Sequence, residues 1–135
     1  MGLVYIIEPD AAIRDALEIL LESVNVPVKG FADAEAFLGA VGPVPRGCIL
    51  ADAEMPGLNG LALLNELRKQ GSKASVLLLA DSTDSKYVQR AMYSGAAAVL
   101  RKPFMDDDVI ALICPLLDIE GISCRKSGIR SLRPM

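Results

Sequence analysis

The chain has 135 residues, 52% of them hydrophobic and 23% charged, a balance that suits a folded single domain and excludes a disordered one. With no histidine, it lacks the means for Ser-His-Asp or Cys-His catalysis, imidazole metal sites and histidine pH switches. The net charge of −3 divides unevenly: residues 1–120 carry 10 basic and 17 acidic side chains, whereas residues 121–135 carry Arg125, Lys126, Arg130 and Arg133 and no acid.

The acidic body is a poor nucleic-acid binder by its field alone, and the basic end reads as a tail or linker. A metal site here has to be built from carboxylates and carbonyls, which suit Mg²⁺ or Ca²⁺. Cys48, Cys114 and Cys124 form a sparse, odd set without a CxxC pair, expected as plain thiols in a reducing compartment. No apolar run approaches the length of a membrane span, and no signal-peptide pattern opens the chain, so a cytoplasmic protein is expected.

Short apolar runs alternate with helix-period segments. Leu3–Ile7 reads as a strand buried on both faces. Asp10 is placed to cap a helix through about Val24, whose Ile13, Leu17, Leu20, Leu21 and Val24 form one apolar stripe. Pro27–Phe31 is a second, weaker strand. Asp33 caps a short helix through about Ala40, which Gly42–Pro45 breaks. Cys48–Ala51 is the third strand, and Met55-Pro56-Gly57 is a turn. A helix from Leu61 to about Gln70 follows Asn59 and ends near Gly71.

Ser75–Ala80 is the fourth strand. The next helix starts at Asp84 or Ser85, runs to Ser94 and stops at Gly95. Ala97–Leu100 is the fifth strand. Asp106–Asp108 then supply acids for the first turn of a last helix, running through Leu112, with Pro115 expected to disturb it. Its stripe of Val109, Leu112, Ile113 and Leu116 suits either a core or a dimer surface. Five strand–helix units predict an α/β fold with a parallel sheet covered on both faces.

In such a doubly wound sheet the site lies beyond the carboxyl ends of the strands. Those ends read Glu8-Pro9-Asp10, Asp52 with Glu54 two residues on, Ala80-Asp81, and Arg101-Lys102-Pro103. Carboxylates beside a lysine are what aspartyl phosphorylation needs: a nucleophilic carboxylate, a metal held by oxygen ligands, and a cation to offset phosphoryl charge. The plainer readings also stand. Asp52 suits a turn cap, and Lys102 suits a structural partner for Asp52 and Glu8. No GxSxG, GxGxxG or GxxxxGK[ST] is present, which argues against a hydrolase or nucleotide-binding enzyme.

Three stretches, YIIEPDAAIRDAL, CILADAEMPGLNGLALL and SGAAAVLRKPF, resemble the receiver domain of two-component response regulators over roughly residues 3–117. In look the chain is most similar to receivers that precede a helix-turn-helix DNA-binding domain in nitrogen-fixation and nitrate-type regulators. The resemblance implies a flavodoxin-like (βα)5 fold with strand order 2-1-3-4-5. The receiver is expected over residues 1–120, with the tail or linker over 121–135. Asp52 matches the phosphoacceptor and Lys102, 50 residues on, the lysine that contacts the phosphoryl group. Glu54 lies where a backbone carbonyl joins the metal site, and Gly60 matches the glycine after the acceptor loop. The Lys102–Pro103 bond is cis in the family.

The chain also departs from the family at four places. Relatives carry two adjacent acids at the end of strand one, where this chain has Glu8 and Pro9. Glu8, Asp52 and Glu54 are then the metal positions, with Asp10 and Asp81 as extra acids, and Mg²⁺ binding is expected to be weak or absent. Ala80 lacks the hydroxyl that relatives move on activation, Asp81 adds negative charge at the mouth of the site, and Val99 replaces a frequent aromatic. The resemblance implies a non-enzymatic partner of a sensor histidine kinase, acting on transcription through an attached or separate output domain. It also implies a homodimer through residues 75–117, with no direct nucleic-acid or membrane contact. The alternative is a phosphorylation-independent pseudo-receiver that serves as an interaction module.

Overall fold

A computed structural model describes residues 3–41, 47–55, 57–81 and 84–119. The five strands are β1 (Val4–Ile7), β2 (Val28–Phe31), β3 (Cys48–Asp52), β4 (Ser75–Ala80) and β5 (Ala98–Arg101). The helices between and after them are α1 (Ala11–Ser23), α2 (Ala34–Val41), α3 (Gly60–Lys69), α4 (Ser85–Tyr93) and α5 (Asp106–Ile119). All strand pairs are parallel, in the expected order β2-β1-β3-β4-β5.

Alternation along the strands sorts side chains onto two faces. Val4, Ile6, Cys48, Leu50, Leu77 and Leu79 pack against α1 and α5, through Leu17, Leu21, Val109, Ile113 and Leu117. Ile7, Ile49, Ala51, Val76 and Leu78 face α2, α3 and α4, through Phe37, Leu63, Leu64, Leu67 and Ala91. Each fully buried aliphatic side chain contributes about 1.5–3 kcal/mol. Phe37 joins Tyr5 and Phe31 edge-on, with ring centroids 5.3 and 5.6 Å apart, and so holds α2 to β1 and β2.

The helix caps follow the residues that suggest them. Asp10 accepts hydrogen bonds from the amides of Ala12 and Ile13, Asp33 from Ala36, Asn59 from Ala62 and Asp84 from Tyr87. At the other end of the sheet, Arg68 of α3 donates to the carbonyls of Ser72, Ala74 and Gly95. One guanidinium thus ties the α3–β4 connection to the turn after α4, where Gly95 has φ +102°.

Two expectations are corrected. The last helix does not weaken at Leu112: α5 runs through Pro115 to Ile119. Pro115 removes one donor, yet its ring lies on the exposed face while Ile110, Ile113, Cys114 and Leu117 are buried. Tertiary burial outweighs the local penalty. Leu112 and Leu116 pack against the same core, so the stripe is core. Cys114 is disulfide-bonded rather than a plain thiol. The breaking segment Gly42–Pro45 and the tail from residue 120 onward lie outside the described residues.

Gly60 sets how closely α3 approaches β3. A Cβ there would stand 2.6 Å from the Asp52 carbonyl oxygen and 2.9 Å from Leu78 Cδ2. Gly60→Ala therefore forces backbone apart beside the site. It is expected to destabilise the chain by about 1–3 kcal/mol in urea unfolding.

Candidate functional site

The parallel register brings the ends of β1, β3, β4 and β5 to one rim. The Glu8 amide donates to the Phe31 carbonyl, the Ala53 amide to Leu79, and the Lys102 amide to Ala80. These bonds continue the sheet one residue past its strands and fix where Glu8, Asp52 and Lys102 begin their side chains.

The three side chains meet. Lys102 Nζ lies 3.2 Å from Glu8 Oε1 and 3.3 Å from Asp52 Oδ1. Glu8 is 1% exposed and Asp52 7%, so two carboxylates share a nearly dry site with a single ammonium. Glu8 Oε2 accepts from the Asp10 amide at 3.1 Å, and Arg14 Nη1 donates to the Glu8 carbonyl at 2.6 Å. Asp52 Oδ1 also accepts from the Glu54 amide at 3.3 Å. Glu8 Oε1 is buried and, apart from the lysine's charge, has no well-aligned hydrogen bond among the described residues.

Charge and burial set the protonation balance. Burial pushes the Glu8 carboxyl above its ordinary 4.5. The Asp10 amide and Lys102 oppose this, and the Asp52 charge adds to it. Burial pulls the Lys102 ammonium down, but the adjacent carboxylates of Glu8, then Asp52, carry it above 10.5. The stabilising contribution of Lys102 is therefore full at neutral pH and is lost as pH rises through its folded value. For Glu8 it is the neutral form that favours the fold: its contribution is full below 4.5 and is lost as pH rises through its raised value.

The remaining candidates lie around this triad. Glu54 and Asp81 are exposed, Pro9 is half-buried, and Asp10 is occupied as the α1 cap. Ala80 is buried at the end of β4, and Val99 packs on the α4 side of the sheet. The described residues contain no group of three or more acids, histidines and cysteines that could hold a metal ion. The buried carboxylate donors are thus Glu8 and Asp52, while the Glu54 side chain is exposed. A groove opens beside Lys102, lined by Ala12, Ile13, Ala16, Leu20, Asp81 and Phe104. The Lys102–Pro103 bond is cis.

Two participants escaped the sequence reading. Arg14 carries no motif, although its place one turn into α1 signals a side chain able to reach back to the β1 end. Tyr87, in the first turn of α4, has a buried hydroxyl with no hydrogen-bond partner among the described residues.

Lys102→Met leaves two buried carboxylates without their cation. The variant is expected to lose about 3 kcal/mol at neutral pH. Urea unfolding at about pH 4, where Glu8 retains its proton more fully, should show a smaller difference.

Comparison with known proteins agrees with this fold. Residues 4–114 match the response regulator receiver domain family. Transcriptional regulatory protein FixJ of Bradyrhizobium diazoefficiens is 41% identical over 112 residues, which are 83% of this chain and 55% of that protein. Response regulator protein TmoT of Ectopseudomonas mendocina is 32% identical over 112 residues, 83% of this chain and 51% of that protein. Full-length FixJ from B. japonicum superposes with a TM-score of 0.78 at 39% identity, covering 87% of this chain and 58% of that one. The chain thus spans about half the length of the curated relatives it matches. Its strand order agrees with that match, and the chain belongs to the response regulator receiver domain family.

Proposed function

We propose that the chain is a signal receiver whose Asp52 accepts a phosphoryl group from a sensor histidine kinase. The observation that carries this reading is the Asp52 carboxylate at the sheet rim, held 3.3 Å from Lys102 Nζ. In the transfer, an Asp52 oxygen attacks phosphorus, the P–N bond to the donor imidazole breaks, and that imidazole takes up a proton. Lys102 offsets charge on the phosphoryl oxygens as it moves. The apolar groove beside Lys102 suits docking of the donor protein.

The site's donors fit a Mg²⁺ ion, which commonly takes one or two carboxylates together with phosphate oxygens. Glu8, whose Oε1 lacks an aligned hydrogen bond, and Asp52 would hold it, with the Glu54 main-chain carbonyl as a third donor. When bound, the ion supplies neutralising charge to the phosphoryl oxygens. Pro9 withholds one acid, so the affinity is low.

The output is regulation of transcription through a further domain or a partner protein, as the names of the FixJ relatives suggest. A homodimer forms across residues 75–117, where Met92, Tyr93 and Met105 are exposed. No helix among the described residues is long and apolar enough to cross a membrane, and a cytoplasmic location is part of this proposal. The receiver is assigned to residues 1–120 and the tail or linker to 121–135. A second reading, a phosphorylation-independent interaction module, is favoured by Ala80 and Pro9 and by the lysine already bridging the two carboxylates.

The test is intact mass spectrometry after incubation with acetyl phosphate and Mg²⁺. A gain of one phosphoryl group, absent in Asp52→Asn, is the expected outcome. No gain at high donor and Mg²⁺ concentrations overturns the phosphoacceptor reading in favour of the interaction module.

A further inference from the structure

The phenol of Tyr87 poses an unanswered question of chemistry. Its hydroxyl is sealed from water and has no hydrogen-bond partner among the described residues. A buried hydroxyl left unsatisfied costs about 1–3 kcal/mol, and phenylalanine would fill the same space without that penalty. The ring packs with the core on the α4 side of the sheet, which includes Ala51 and Met55 around the acceptor loop and Val99 on β5. Its backbone is fixed by the α4 cap, where the Tyr87 amide donates to Asp84 at 2.9 Å.

The hydroxyl also sits in the field of the acidic site. Burial pushes its ionisation up, and the charges of Glu54 and Asp52 push it further. The phenol is therefore held neutral, a buried donor with no acceptor in hand among the described residues. The residue at the end of β4, Ala80, offers no hydroxyl of its own, and the Val99 side chain carries no donor group.

We infer that Tyr87 is the hydrogen-bond donor from α4 to the phosphoryl group on Asp52, and so couples the state of that carboxylate to the helix. A phosphoryl group brings three acceptor oxygens and added negative charge, the partner that the buried phenol lacks. No bond is made or broken at Tyr87; one O–H changes from unpaired to paired. Tyr87 is a positioning residue, and its role rests on Asp52 being the phosphoacceptor, as proposed above.

The test uses beryllium fluoride with Mg²⁺ as the phosphoryl mimic, on the full chain, Tyr87→Phe and Asp52→Asn. Removing the unpaired hydroxyl should leave Tyr87→Phe at least as heat-stable as the parent in the absence of the mimic. Its affinity for beryllium fluoride should fall about fivefold, the equivalent of one net hydrogen bond. With tyrosine labelled at ¹³Cζ, the Tyr87 resonance should move on addition of the mimic and stay still in Asp52→Asn. Equal affinity in Tyr87→Phe together with an unmoved Tyr87 resonance, in a parent chain that binds the mimic, overturns the role of Tyr87 alone. Failure of the parent chain to bind the mimic or take up phosphoryl overturns the phosphoacceptor reading and this inference with it.

Discussion

The structure depends on one act of charge balance. Two carboxylates, Glu8 and Asp52, are taken out of water at the end of a sheet buried on both faces, and a single ammonium, Lys102, lies within 3.3 Å of each. Neither acid tolerates that burial as an isolated charge. The three groups come from β1, β3 and the end of β5, so the ion cluster joins strands that are not all neighbours. The same cluster that steadies the rim leaves net negative charge beside Asp52. That residual charge favours a cation over an anion beside the two acids.

Around this cluster the chain has the receiver scaffold, with non-ligating or apolar side chains at several nearby positions. Pro9 cannot ligate, Ala80 cannot donate, and Val99 is small. Near them stands the buried Tyr87 phenol on α4, a donor without a partner among the described residues. Glu54 is exposed while its amide donates to Asp52.

The fold was legible because its signals were redundant. Caps at Asp10, Asp33, Asn59 and Asp84 mark where helices begin, and continuous apolar runs mark doubly buried strands. The triad was legible because strand ends in a parallel sheet share one rim. The full length of α5 was not, since Pro115 is a local signal and the burial that overrides it belongs to the assembled core. Nor was the disulfide at Cys114, because spacing alone does not pair cysteines. Tyr87 was invisible for a related reason: an aromatic on a helix reads as packing, and only the placed hydroxyl shows a donor without a partner.

The two ends of α4 are held very differently. At its carboxyl end the turn at Gly95 is gripped by Arg68, which also holds the carbonyls of Ser72 and Ala74. At its amino end the Asp84 cap closes the helix on itself, and the Tyr87 ring packs with the core on that side of the sheet. The grip on α4 from outside the helix therefore sits at its carboxyl end, close to the exposed side chains of Met92 and Tyr93.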